Sequence, residues 1–393
     1  MMRTIIVDQE KTITDELNNI GVDPDAFSIF IKKTQCMTLK FSNLSCAQVN
    51  VLKQTALICG ADAAIPKNAY RGGRGKRFPL ILFANLREIE KMEQRLREQP
   101  WMGYIRSELA SLLLDTKKPV LKIGRKKLTM DRTYIMGVIN LTPDSFYSGS
   151  RYTDMSIIEE VVSEMNEEGV DFIDIGAEST RPKSIPVGEK EEIMRLKRVL
   201  PAVAKLTRVP ISVDTYKAKV AALAIDLGAT IINDVSGLRF DKRMAKTIAR
   251  NRVSTIIMHM KGKPRTMQRN PRYKDLMSEI HDFLQKRIDY AVESGIDEDR
   301  IIIDPGLGFG KALTDNYIII RRLSELKQLG RPILVGHSRK SFVGNPFGLG
   351  PKDRLEGTLA IQSLLIQNGA SIFRVHDVTE AKKVGSVIDL IVR

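Results

Sequence analysis

The chain has 393 residues, 43% apolar and 28% charged, which is ordinary for a globular protein but long for a single domain. Its net charge is +15, with 22 Lys and Arg against 13 Asp and Glu in residues 1–130, a balance that favours anionic ligands. No apolar stretch approaches the roughly 20 residues that span a bilayer and no secretory h-region is present, so a cytoplasmic protein without a membrane span is expected.

Residues 1–117 read as a small α/β domain. Met37–Phe41 has strand character, and Ser45-Cys-Ala-Gln48 is a capping-box pattern that opens a helix running to Gly60. Pro79–Phe83 reads as a second strand. Leu86–Glu98 reads as a charged helix with Leu86, Ile89, Met92 and Leu96 on one face, and Tyr104–Leu114 as a third helix. The basic cluster Arg71–Arg77 lacks the interleaved aromatics used for base stacking, so it reads as a solvated loop and nucleic acid is not an expected partner. Cys36, Cys46 and Cys59 match no zinc spacing and read as reduced thiols. No histidine precedes residue 259 and the acids are scattered, so this domain carries no catalytic pattern. Its role as scaffold, dimerisation module or lid stays open.

Residues 118–393 carry the pattern of a TIM (β/α)8 barrel. Residues 119–130 alternate around Gly124 as a hairpin does. Eight short apolar runs follow: Tyr134–Ile139, Phe172–Ile175, Ile211–Val213, Ile231–Ile232, Ile256–Met258, Ile301–Ile303, Ile333–Val335 and Ile372–Phe373. Runs this short, bounded by turn residues, suit strands buried on both faces of a parallel sheet. Helical spacing fills about 154–168, 189–205, 216–227, 241–250, 273–294, 315–328, 353–368 and 378–391, with Gly169, Gly228, Gly295, Gly330 and Gly369 as helix-ending glycines. An open doubly wound sheet is the other architecture considered, but Asn140-Leu-Thr-Pro-Asp-Ser-Phe146 is not a dinucleotide fingerprint.

Each run ends on or leads to polar residues, where a barrel keeps its chemistry. Arg374 and His376 leave the last strand two residues apart, so they share a face and suit a phosphate or diphosphate; Arg374 could instead pair structurally with Asp377. Asp214 and Asp304 end the third and sixth strands with Asn233 between them. These could receive the N–H edge of a planar heterocycle, or serve acid–base or metal chemistry. Asp304-Pro-Gly-Leu-Gly-Phe-Gly-Lys311 is a glycine-rich turn, and Lys340 could hold an anion or a carbonyl oxygen. Arg252, His259, His281, the scattered methionines and Trp101 read as structural.

The strings MGVINLTPDSF (136–146), DIGAESTRP (174–182), ISVDT (211–215), INDVSG (232–237), MHMKGKPRTMQ (258–268), DPGLGFGK (304–311), GHSRKS (336–341) and RVHDV (374–378) closely resemble the dihydropteroate synthases. These are folate-pathway enzymes of the pterin-binding TIM-barrel superfamily. The resemblance implies a homodimeric transferase that condenses 6-hydroxymethyl-7,8-dihydropterin diphosphate with 4-aminobenzoate. Asn140 is then expected to help hold Mg²⁺, and Arg181, Arg374 and His376 the diphosphate. Asp214, Asn233, Asp304 and Lys340 line the pterin pocket, while Thr180, Pro182, Phe309 and Ser341 shape the aminobenzoate site. Asp214, Lys340, Arg374 and His376 are the expected catalytic set. Two stretches depart from the family's usual pattern: Tyr147-Ser-Gly-Ser150 stands where Ser-Asp-Gly-Gly is usual, and Lys183-Ser-Ile-Pro186 looks short. A pterin-dependent methyltransferase of the same superfamily is the alternative, but it needs no diphosphate site.

Overall fold

A computed structural model describes residues 2–7, 10–72, 75–114, 118–141, 155–178 and 187–393. The chain divides into two compact units, Met1–Lys117 and Lys118–Arg393.

The first unit runs α1 (Glu10–Asn19), α2 (Phe27–Thr34), β1 (Cys36–Ser45), α3 (Cys46–Cys59), β2 (Asp62–Ala64), β3 (Arg77–Asn85), α4 (Leu86–Leu96) and α5 (Gly103–Leu113). Its antiparallel sheet has the order β1-β3-β2. The period-2 pattern of β3 buries Phe78, Leu80, Leu82 and Ala84 on one face, where they join Val49, Leu52, Ile89 and Met92 of α3 and α4 in one core. Proline is rare in a central strand because it cannot donate to the ladder. Pro79 is tolerated because the β1–β3 register shifts between Phe41 and Leu44, leaving it opposite the bulge. Reciprocal capping boxes open α3 (Ser45 with Gln48) and α4 (Asn85 with Glu88), and Gly60 ends α3 in the left-handed region. Trp101 is 48% exposed, and its neighbour Met102 fills the core.

The second unit begins with the hairpin β4 (Val120–Ile123) and β5 (Lys126–Thr129). The barrel follows as β6 (Tyr134–Asn140), α6 (Met155–Glu167), β7 (Phe172–Gly176), α7 (Glu189–Leu206), β8 (Ile211–Asp214), α8 (Ala218–Asp226), β9 (Ile231–Asp234), α9 (Met244–Asn251) and β10 (Ser254–Met258). It continues through α10 (Leu276–Glu293), β11 (Ile301–Asp304), α11 (Leu313–Arg321), β12 (Leu334–Gly336), α12 (Ser341–Gly344), α13 (Leu355–Gln367), β13 (Ile372–Val375) and α14 (Val378–Val392). All eight barrel strands are parallel, in the order β11-β10-β9-β8-β7-β6-β13-β12. A parallel bridge between Ile303 and Ile333, with the Ile303 amide donating to Pro332 O at 3.0 Å, closes the ring. That closure explains why the seventh strand lies one residue later than the apolar run: Ile333 serves the bridge. The helix expected over 315–328 breaks at Arg322 and continues as a 3-10 turn, Leu323–Leu329.

Two cores divide the work. Outward strand residues such as Ile173, Val213, Ile257, Ile303 and Phe373 pack under the helices. Inside the barrel, Met136, Phe172, Ile231, Ile256, Ile302, Leu334 and Ile372 form an apolar layer with Leu121, Ile123 and Met130 of the hairpin region. Strand alternation then makes the next inward position toward the C-terminal ends Asp174, Asn233, Asp304 and Arg374. The lumen is therefore sealed and apolar on one side and charged on the other. Among the described residues no helix is long and apolar enough to cross a membrane.

Candidate active site

The charged layer is built around Arg374. Its Nε donates to Asp174 Oδ2 at 2.6 Å and its Nη2 to Asp214 Oδ2 at 3.5 Å. Asp377, the partner weighed from sequence, is instead engaged at 2.8 and 2.7 Å by Arg339. Both Asp174 Oδ1 and Asp214 Oδ1 are buried and accept from no described group. Burial, with Asp174 nearby, pushes the Asp214 carboxyl up to about 8, although Arg374 opposes the shift. Such a group has spare acceptor capacity in a nearly dry place.

Lys340 arrives from the other side as the residue preceding α12. Its Nζ donates to Leu307 O at 2.5 Å and lies 4.5 Å from the centre of the Phe309 ring. Burial brings it down to about 8, against the pull of Asp304. Asp304, at the end of β11, is raised by burial while Lys340 and its bond from the Gly306 amide (2.7 Å) hold it down. Lys340 and Arg374 meet across Gly336, where a methyl group would stand 3.9 Å from Lys340 Nζ and from Arg374 Cδ. Three carboxylates and two cations thus share one end of the lumen.

The glycine-rich turn owes its composition to close backbone approach. A methyl on Gly306 (φ +67°) would run into the carbonyl of His259, and one on Gly310 (φ +63°) into that of Lys261. Lys311 ties the same two loops together: its buried Nζ lies 3.0 Å from His259 Nδ1 and donates to Phe309 O at 3.1 Å. His259 is held well below its ordinary range by burial and by Lys311, so it is a neutral packing residue, as the sequence indicated. Met258, Met260 and Met267 pack together beside Val235.

Of the residues expected from sequence, the structure brings Asp214, Asn233, Asp304, Lys340 and Arg374 to one end of the barrel. His376 is exposed beyond them, with Ser338 Oγ 2.9 Å from its Nδ1. Ser341 is exposed in the first turn of α12, Phe309 is half-buried against Lys340, and Asn140 ends β6, half-buried. Thr180, Arg181, Pro182 and Phe146 lie outside the described residues, as do Tyr147–Ser150 and Lys183–Pro186. Asp174, the principal partner of Arg374, was given no role from sequence. Its signal was a carboxylate inside an apolar strand, Phe-Ile-Asp-Ile, at an inward-facing position; a charge there needs a partner. Among the described residues no three His, Cys, Asp or Glu side chains form a group that could hold a metal.

Chemically, the site offers carboxylate acceptors for a flat N–H-bearing ring beside cations for a polyanion. The family described as pterin binding enzymes matches residues 136–376. The dihydropteroate synthase of Clostridium beijerinckii is 42% identical over 275 residues, covering 70% of this chain and 100% of the relative. That of Bacillus subtilis is 42% identical over 259 residues, covering 66% and 88%. Among solved structures, Yersinia pestis dihydropteroate synthase in a sulfonamide drug complex is similar at 38% identity and a TM-score of 0.66, covering 69% of this chain and 98% of that one. The Xanthomonas albilineans enzyme with 7,8-dihydropteroate is similar at 37% identity and a TM-score of 0.63, covering 70% and 98%.

Proposed function

This chain belongs to the dihydropteroate synthase family of pterin-binding enzymes, and we propose how its barrel mouth divides the family reaction among its own residues. The reaction joins 6-hydroxymethyl-7,8-dihydropterin diphosphate to 4-aminobenzoate and yields 7,8-dihydropteroate and diphosphate. The carrying observation is the Asp214–Arg374 arrangement: a buried carboxylate with one oxygen toward the guanidinium and the other without a described donor.

In this reading Asp214 Oδ1 and Asp304 accept pterin N–H groups, Asn233 meets the same ring, and Lys340 donates to a ring acceptor. Arg374 and His376, with Arg181, hold the diphosphate. Asn140 fits a share in binding Mg²⁺: its Oδ1 lies beside Gly176, where a methyl would come within 3.4 Å. One neutral oxygen suits an ion that keeps several waters and takes the rest from substrate phosphates. When bound, Mg²⁺ adds positive charge against the departing diphosphate. The C–O bond to diphosphate breaks, leaving positive charge on the pterin methylene. The Asp214 carboxylate opposes that charge as it develops. The aryl amine nitrogen then forms the new C–N bond and sheds a proton to solvent. Thr180, Pro182, Phe309 and Ser341 shape the pocket from which it attacks.

Purified full-length protein given the pterin diphosphate, 4-aminobenzoate and Mg²⁺ is expected to release diphosphate only when both organic substrates are present. Release at background rates would refute the reading.

We further propose that residues 118–393 suffice for catalysis and that the protein is a homodimer. Leu364 on α13 and Val387, Leu390 and Ile391 on α14 leave large apolar surface exposed, the kind of surface a second copy covers. A chain beginning at residue 118 should sediment as a dimer and retain turnover. A well-folded monomer, or a dimer without activity, would contradict the respective half of this proposal.

A further inference from the structure

Lys217, just before α8, stands outside the charged mouth, yet all three donors of its ammonium are committed. Nζ donates to Glu178 Oε2 at 2.6 Å, to Glu192 Oε2 at 2.6 Å and to Val187 O at 2.7 Å. Glu178 Oε1 also accepts from Tyr216 Oη at 2.8 Å and from the Val187 amide at 3.2 Å. The cluster is well buried, with side-chain exposures of 16% for Lys217, 7% for Glu178 and 1% for Glu192. Glu178 and Val187 are the residues on either side of 179–186. A second cation, Arg195 on α7, supports the same region: its Nη1 donates to Ala177 O at 2.9 Å and lies 3.5 Å from Leu141 O, while its Nε is held by Glu191.

Taking three charges out of water is costly, and a well-packed apolar trio could join α7 to α8 at least as stably. What an apolar trio cannot do is hold a carbonyl, an amide and a carboxylate at fixed positions. We propose that Lys217 is a positioning residue for the reaction. It fixes Glu178 and Val187, the residues on either side of 179–186, against α7, and so sets where the segment that carries Thr180, Arg181 and Pro182 begins and ends. This rests on the reading that those residues serve aminobenzoate and diphosphate. A misplacement of about 1 Å is enough to cost large factors in rate or affinity.

The test is Lys217→Met, which keeps the stem and removes the charge, in the full-length enzyme. KM for 4-aminobenzoate should rise about tenfold or more through Thr180 and Pro182, and KM for the pterin diphosphate should rise by a smaller factor through Arg181, because Arg374 and His376 still hold the diphosphate. Exchange of the Val187 amide should accelerate at least about tenfold, with the amides of Ile173 and Ile175 in β7 unchanged. Lys217→Arg, which restores charge with a planar fork, should recover part of both effects. If the single variant does not fold, Lys217→Met with Glu192→Gln removes the buried carboxylate left behind and carries the same test. Unchanged Val187 exchange would overturn the proposal, and so would a parallel rise in both KM values with β7 loosened. A Thr180→Ala control separates the two readings: if it leaves aminobenzoate KM unchanged while Lys217→Met frees Val187, the substrate assignment fails and the anchoring role stands.

Discussion

Replacing Arg374 with alanine should lower kcat/KM by about a hundredfold to a thousandfold, the roughly 2.7–4 kcal/mol typical of losing one preorganised charge donor in a transition state. The loss is expected mainly in kcat, because charge on the bridging and terminal oxygens of diphosphate grows as the C–O bond breaks. Arg374 is also the partner of Asp174, which is fully buried, and lies against Asp214. Removing it leaves two carboxylates facing each other in a dry layer, a change worth about 3–5 kcal/mol of stability when a buried pair is broken. The two effects can be separated. Adding Asp174→Asn to Arg374→Ala should return much of the stability in denaturant unfolding without returning activity, a non-additivity expected of groups in one network. An Arg374→Ala enzyme with near-parent kcat/KM would remove the guanidinium from the mechanism. A double variant that regained activity would show that only the folded layer had been damaged.

What could be read from the sequence, and what could not, follows from how each residue is held. The eight barrel strands were legible because a strand buried on both faces must be apolar along its length and polar where it meets the mouth. Asp214, Asn233 and Asp304 could therefore be located by inspection. Asp174 escaped because it sits one pleat deeper than the strand ends, where an apolar-run reading treats a carboxylate as noise. Lys217 and Glu192 escaped for another reason: they reach Glu178 from the neighbourhood of two different helices, and no spacing in the chain marks that convergence. Ile333 was placed one residue into the strand because apolarity cannot distinguish a ladder residue from a single closing bridge. In the first unit, α1 and α2 went unread. Glu10–Asn19 buries only Leu17, and Phe27–Thr34 mixes aromatic and β-branched residues that favour a strand as much as a helix.

The pH profile should expose Lys340. Its ammonium is brought down to about 8 by burial, so the protonated share of the free enzyme falls as pH rises through that value. kcat/KM for the pterin diphosphate reports the free enzyme. Through Lys340 alone it should decline as pH rises through about 8, approaching tenfold per unit on the alkaline side. On the acid side the sign reverses, because Asp214, lifted above the ordinary carboxylate range by burial, must lose a proton to accept two N–H groups and oppose the methylene charge. Because Asp214 is also raised to about 8, the result is a narrow bell with its optimum near pH 8, whose two limbs belong to different residues. Lys340→Arg keeps its charge at any accessible pH and should lose the alkaline limb, while Asp214→Asn should flatten the acid limb on a much reduced rate. Lys340→Ala should forfeit about 2–4 kcal/mol of transition-state stabilisation at neutral pH. The profile of kcat adds a stricter condition. A substrate acceptor resting on the ammonium stabilises its charged form, so the alkaline limb should move upward in the complex relative to the free enzyme. An alkaline limb that survives Lys340→Arg, or one that falls at the same pH in kcat and kcat/KM, would mean that Lys340 does not touch substrate.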